Sequence, residues 1–120
     1  MTKIIIAGGR NFYDYNLLYK KCSEIIEKRG YKGIQIVSGA CKGADILGEK
    51  FAREKGYPVA RFEANWSLGQ SAGNIRNGYM AEYADALIIF WDGASKGSKN
   101  MIKQAEKHNL LINVVRYDQK

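Results

Sequence analysis

The chain has 120 residues, 46% hydrophobic and 26% charged, with 2 Trp, 8 Tyr, 4 Phe, 13 Gly and a single Pro. That apolar content suffices for one compact core and excludes a disordered chain, and no apolar run approaches the ~20 residues that span a bilayer. The net charge of +7 favours anionic partners, but with 11 basic and 6 acidic groups in residues 1–60 and 8 and 6 in residues 61–120 it is spread too evenly to separate a nucleic-acid binder from a small-molecule binder.

The elements read clearly in chain order. Lys3-Ile4-Ile5-Ile6-Ala7 is an apolar run ended by Gly8-Gly9, the pattern of a strand buried on both faces. Its apolar start is too short for a signal peptide, and Cys22 and Cys41 make no disulfide framework, so a cytoplasmic chain with reduced thiols is expected. A helix follows over 14–29, with Leu17, Leu18, Cys22, Ile25 and Ile26 on one stripe and Gly30 as its stop. The second strand is 34–38. The next helix covers 42–55, with Ala44, Leu47, Gly48 and Phe51 inward, and residues 57–62 form a third strand.

Residues 65–73 are the least periodic and read as the best candidate for a functional loop. Ile75, Tyr79, Met80 and Tyr83 mark a third helix, 86–91 a fourth strand, 98–108 a last helix and 110–116 a fifth strand. Strands alternating with helices predict an α/β, three-layer Rossmann-like domain. Its five-stranded, mainly parallel sheet is expected in the order 3-2-1-4-5. Ligands bind such sheets outside the carboxyl ends of the strands, where the chain reverses direction.

Four segments fall at that rim. They are Gly8-Gly9-Arg10-Asn11, Ser38-Gly39-Ala40-Cys41-Lys42-Gly43-Ala44-Asp45, the long segment containing Trp66, Gly69, Ser71, Gly73, Arg76 and Asn77, and Asp92-Gly93-Ala94-Ser95-Lys96-Gly97-Ser98. Small-residue turns before helices expose backbone N–H groups at the positive end of a helix dipole, where phosphate is the natural occupant. Neither Gly-x-x-x-x-Gly-Lys-Ser/Thr nor Gly-x-Gly-x-x-Gly is present, so no standard cofactor fingerprint applies. One histidine and two scattered cysteines give no metal-site spacing, and neither a metal nor a cofactor is expected.

Strand–Gly-Gly-Arg, Ser-Gly-x-x-x-Gly-Ala-Asp, Gly-x-x-Ala-Gly-x-x-Arg-Asn and Asp-Gly-x-Ser-x-Gly-Ser, in this order over residues 3–116, resemble the SLOG superfamily, specifically its small YspA/YpsA-related branch. The resemblance implies one Rossmann-like SLOG-type domain over 1–120 that binds a nucleotide or nucleotide-derived molecule, as a sensor or sequestering module, and it admits homo-oligomers. Carried over residue by residue, the ligand-binding set is Gly8, Gly9, Arg10, Ser38, Gly39, Gly43, Asp45, Arg76, Asn77, Asp92, Gly93, Ser95, Gly97 and Ser98. The superfamily is similar in fold to the LOG phosphoribohydrolases and to DprA. The hydrolases carry Pro-Gly-Gly-x-Gly-Thr-x-x-Glu at the last loop. Laid on Gly97-Ser98, that glutamate falls on Met101, whose thioether moves no proton. An N-glycosidic hydrolase therefore needs another carboxylate, with Asp92 and Asp45 as catalytic candidates and Glu63 also available.

Individual residues carry competing readings. Arg76 and Arg10 either clamp phosphate or make ordinary surface contacts. Asp45 holds a ribose hydroxyl, orients its loop, or simply suits the first turn of a helix. Asp92 contacts a sugar or makes ordinary turn bonds. Trp66 is the better base-stacking candidate and Trp91 a packing residue, while Cys41 reads as a small loop residue lacking a basic neighbour in sequence. His108 suits a helix C-terminus. Lys96, Lys99, Lys103 and Lys107 form a basic stripe that reads as a solvated face, or as contacts to nucleic-acid phosphates in a second alternative function.

Overall fold

A computed structural model describes residues 1–117. Its elements are β1 (Thr2–Gly8), α1 (Tyr15–Arg29), β2 (Ile34–Ser38), α2 (Ala44–Lys55), β3 (Val59–Arg61), a 3₁₀ segment (Trp66–Ser71), α3 (Ala72–Tyr83), β4 (Ala86–Trp91), α4 (Lys96–Lys107) and β5 (Leu111–Arg116). All four strand pairings are parallel and the order is β3-β2-β1-β4-β5, as the alternation of elements predicts. The chain runs outward from β1 on one side and returns on the other through β4. Among the described residues no helix is long and apolar enough to cross a membrane.

The near-continuous apolar strands serve two layers at once. Successive side chains point to opposite faces. Ile4, Ile6, Ile36, Ile88 and Phe90 therefore pack against Leu18, Cys22, Phe51 and Ala52 of α1 and α2. Ile5, Ala7, Val37, Leu87 and Ile89 pack against Met80, Ala81, Met101 and Ala105 of α3 and α4. Ile4, Ile5 and Ile6 are fully buried, and each such side chain contributes about 1.5–3 kcal/mol of transfer free energy.

Local chemistry explains where the boundaries differ from the sequence pattern. β3 is shorter than 57–62 because the Tyr57 N–H closes the end of α2 on the Ala52 carbonyl (2.8 Å), beside the left-handed Gly56. Residues 42 and 43 stay outside α2 because Gly43 has φ 85° and ψ −133°, which no helix accommodates. α4 begins two residues early, where the Ser95 hydroxyl accepts the Ser98 N–H (3.4 Å). α3 also begins early, and the aperiodic stretch before it forms the 3₁₀ segment.

Candidate functional site

The carboxyl ends of β1 and β4 open into a cleft of about 580 Å³. This lies within the usual range for small-ligand pockets and at the point where the sheet order reverses. Phe12 fixes the first wall. Its ring stacks on Phe90 (centroids 5.0 Å) and tilts against Tyr117 (4.7 Å), which plugs the loop into the core. Flanking Arg10, Asn11 and Tyr13 are thereby left exposed, and all three line the cleft. The Gly9 carbonyl accepts both the Phe12 N–H (3.3 Å) and the Ala44 N–H (3.1 Å), which joins this loop to the start of α2.

The second wall is the turn between β2 and α2, which contributes Cys41, Lys42 and Asp45. Asp45 is 6% exposed. The Cys41 N–H donates to its Oδ2 (3.2 Å), and no protein donor among the described residues reaches Oδ1. Burial pushes the Asp45 carboxyl up to about 6, with Glu49 one turn on adding to the rise. The Cys41 N–H and the charges of Arg76 and Arg10 pull the other way.

That shift carries a pH signature. An unfolded aspartate titrates near ~3.9. Between about 4 and 6 the folded chain holds a proton that the unfolded chain has already released. This contribution to stability is therefore complete below about pH 4 and lost as pH rises through about 6. Asp45→Asn is expected to be more stable than the parent at pH 7.5 by about 1–3 kcal/mol, and no more stable at pH 4. Urea unfolding at the two pH values reads this directly, and an equal change at both contradicts it.

α3 and α4 complete the cleft. Arg76 is half-buried: its Nη1 donates to the Gly39 carbonyl and lies 3.7 Å from Cys41 Sγ, and its Nε donates to Asn77 Oδ1 (3.0 Å). Nη2 has no acceptor among the described residues. The buried Asn77 amide donates to Asn100 Oδ1 (3.1 Å) and the Gly97 carbonyl (3.4 Å), which ties α3 to α4. From the α4 turn, Ser95, Gly97 and Ser98 line the cleft. The amides of Lys96 and Gly97 donate to no acceptor among the described residues, while the Ser95 carbonyl takes the Lys99 N–H (3.1 Å).

Of the predicted set, Gly8, Gly9, Arg10, Asp45, Arg76, Asn77, Ser95, Gly97 and Ser98 line one cavity. Ser38, Gly39, Gly43, Asp92 and Gly93 do not. Ser38 is fully buried below the loop. Gly39 makes room, since a Cβ there would lie 2.7 Å from Asp45 Oδ2 and 2.9 Å from Arg76 Nη1. The Asp92 carboxylate accepts the Ala94 N–H (2.9 Å) and the Ser95 N–H (2.8 Å), and these bonds hold it below the usual carboxylate range. Asp92 thus shapes its own turn, and Gly93 packs beneath Arg116. Glu63 also lies outside the cleft, and of the expected functional loop Trp66, Gly69 and Ser71 do not line it while Gly73 does. Met101 lines it at 2% exposure and presents no titrating group.

Sequence reasoning placed Asn11 and Lys42 at the rim without assigning them to the ligand set, and it missed Tyr13 and Asn74 as lining residues and Asn100 as the partner of Asn77. It also missed the contact between Cys41 and Arg76, which are far apart in sequence. Trp66 is exposed with the Arg10 guanidinium 5.5 Å above its ring, and the Trp91 indole donates to the Ser95 carbonyl (3.1 Å). His108 terminates α4, and the four stripe lysines are exposed. Among the described residues no three of His, Cys, Asp and Glu group as a metal site.

No curated protein matches the chain. A sequence model of the YspA, cpYpsA-related SLOG family matches residues 2–69. The match takes in β1 with its Gly-Gly-Arg turn, the Ser38–Asp45 turn and β3, while the Arg76-Asn77 and Asp92–Ser98 segments lie beyond it. It extends over more than half of the chain, across the two turns that build the first two walls of the cleft, and on that ground the chain belongs to the YspA, cpYpsA-related SLOG family.

Proposed function

We propose that the cleft binds a nucleotide or nucleotide-derived small molecule, in a protein acting as a sensor or sequestering module. The observation that carries this reading is the convergence of unlike groups on one cavity. Arg10, Lys42, Arg76 and the unpaired amides at the start of α4 supply positive potential for phosphate. Between them sits one buried carboxylate, Asp45, with an oxygen free to accept from a sugar hydroxyl. Phosphate next to a hydroxyl-bearing sugar matches that polarity. Family membership points the same way, toward a small nucleotide-related ligand.

A second reading, N-glycosidic hydrolysis, draws on the same carboxylate. Asp45 is the sole carboxylate lining the cleft among the described residues, and its elevated pKa of about 6 lies close to neutral pH, where a general base or acid works best. Asp45 takes the role that Met101 cannot fill, and Asp92 is not needed for it.

Both readings meet one experiment. The chain is heated with AMP, GMP, ADP-ribose or NAD, and the same mixtures are assayed for released base. A ligand present at 100 times its dissociation constant stabilises by ~2.7 kcal/mol, a rise of several degrees in Tm for this size. A rise with one ligand class is the expected result, and no rise with any overturns nucleotide binding. Free base in the wild-type mixture supports hydrolysis, and its absence leaves a binding module.

A further inference from the structure

Glu49 lies outside the cleft, yet it holds together the buried polar chain beneath the 39–43 turn. Ser38 Oγ donates to Glu49 Oε2 (2.6 Å), and Arg61 Nε, from the end of β3, donates to the same oxygen (3.0 Å). The Asp45 carbonyl, at 3.5 Å, is the poorer acceptor for the single Ser38 proton. With that proton committed, the hydroxyl oxygen accepts, and the Ala40 N–H fills it at 3.0 Å. Ala40 has φ 64°, a left-handed conformation that a residue with a Cβ rarely adopts without a local hold. The turn at Ala40 aims the Gly39 carbonyl at the Arg76 guanidinium and the Cys41 N–H at Asp45.

We propose that Glu49 is a positioning residue for the cleft, acting through Ser38 and the left-handed turn at Ala40 to set Asp45 and Arg76 where a ligand meets them. For ligand affinity this rests on the nucleotide-binding reading, but for the geometry of the free protein it does not. Charged groups face Asp45 from three directions: Arg76 from α3, Arg10 from the turn after β1, and Glu49 from its own helix. Glu49 therefore acts on Asp45 twice. Its charge raises the Asp45 pKa directly, and its hold on Ser38 keeps the Cys41 N–H in place, which lowers it.

The two effects separate in two variants, read by carbon-detected NMR titration of the Asp45 carboxyl. In Ser38→Ala the Glu49 charge remains but Ala40 loses its acceptor, so the Cys41 N–H drifts away and the Asp45 midpoint rises. In Glu49→Gln the amide oxygen still accepts from Ser38 and Arg61 while the like charge is gone, so the midpoint falls. Faster exchange of the Ala40 amide is expected in Ser38→Ala alone. Displacement in opposite directions is the expected result, whereas no displacement, or the same direction in both, overturns the relay. If Ser38→Ala does not fold, Glu49→Ala, which removes both the charge and the acceptor for Ser38, decides against Glu49→Gln: an Asp45 midpoint no higher in Glu49→Ala than in Glu49→Gln overturns the proposal. AMP binding is expected to weaken about tenfold in Ser38→Ala and to stay within about threefold in Glu49→Gln. Should none of AMP, GMP, ADP-ribose and NAD bind any of the three proteins, the nucleotide reading falls while the titrations still decide the relay.

Discussion

In Arg76→Ala, the Tm rise given by the responding nucleotide is expected to vanish. Arg76 is the one guanidinium of the cleft already locked in place, through the Gly39 carbonyl and Asn77 Oδ1, so its Nη2 meets an anion at little entropic cost. Removing it takes away the ion-pairing partner proposed for the ligand and also strips a donor from two protein acceptors, one of them on Asn77, which is 7% exposed. The unliganded variant should therefore lose about 1–3 kcal/mol, seen as a lower Tm before any ligand is added. Asp45 also loses the positive charge that pulls its pKa down, so its midpoint should move above about 6. Arg76→Lys keeps the charge without the planar fork. It should restore the Asp45 midpoint more fully than the ligand response. A full ligand-induced rise in Arg76→Ala would remove this residue from the binding site.

Gly43→Ala is expected to be the more damaging change to the fold. At φ 85° and ψ −133° the backbone lies where a side chain is strained, and a Cβ would stand 2.6 Å from the Arg10 carbonyl carbon and overlap the Gly9 carbonyl oxygen. Both neighbours are backbone, so neither rotates away. Strain and overlap together should cost about 3–5 kcal/mol, a large share of the stability of a domain this size. Urea unfolding should show a much lower midpoint with an unchanged slope. A loss below about 1 kcal/mol would mean the turn can re-form around the new methyl group.

The architecture was legible because β1 and β4 announce themselves. Ile4-Ile5-Ile6 and Leu87-Ile88-Ile89 have no polar face, which only a sheet covered on both sides explains. The cleft was legible where glycine and serine cluster in turns, and Arg76 stood out among small residues. The buried carboxylates of α2 were harder to see. An inward stripe read as Ala44, Leu47, Gly48 and Phe51 hides that Ala44 and Gly48 let the helix ride close to β1, where a Cβ on Gly48 would meet Ile6 at 2.8 Å. That close approach carries the adjacent positions 45 and 49 into the interior, so Asp45 and Glu49 are buried while Leu47 is only half-buried. Two carboxylates four residues apart, each next to a small residue, were the available signal. Asp92 stayed open between two readings for a different reason. A carboxylate before glycine looks the same in sequence whether it faces a ligand or its own turn, and the Ala94 and Ser95 amides that give Asp92 its turn role are visible only in the structure.

The Gly9 carbonyl, shared by Phe12 and Ala44, has a consequence for how the molecule comes together. It joins the first crossover to the second, as the Arg76 bond to Gly39 joins the second to the third across 37 residues and Asn77 joins the third to the fourth. Each wall of the cleft is thus tied to the next by a contact distant along the chain, and such contacts are expected to form late because loop closure must come first. A ligand can recognise only a chain whose crossovers have all docked. It should leave the rate of folding nearly untouched and slow unfolding instead, acting as a latch on the finished molecule.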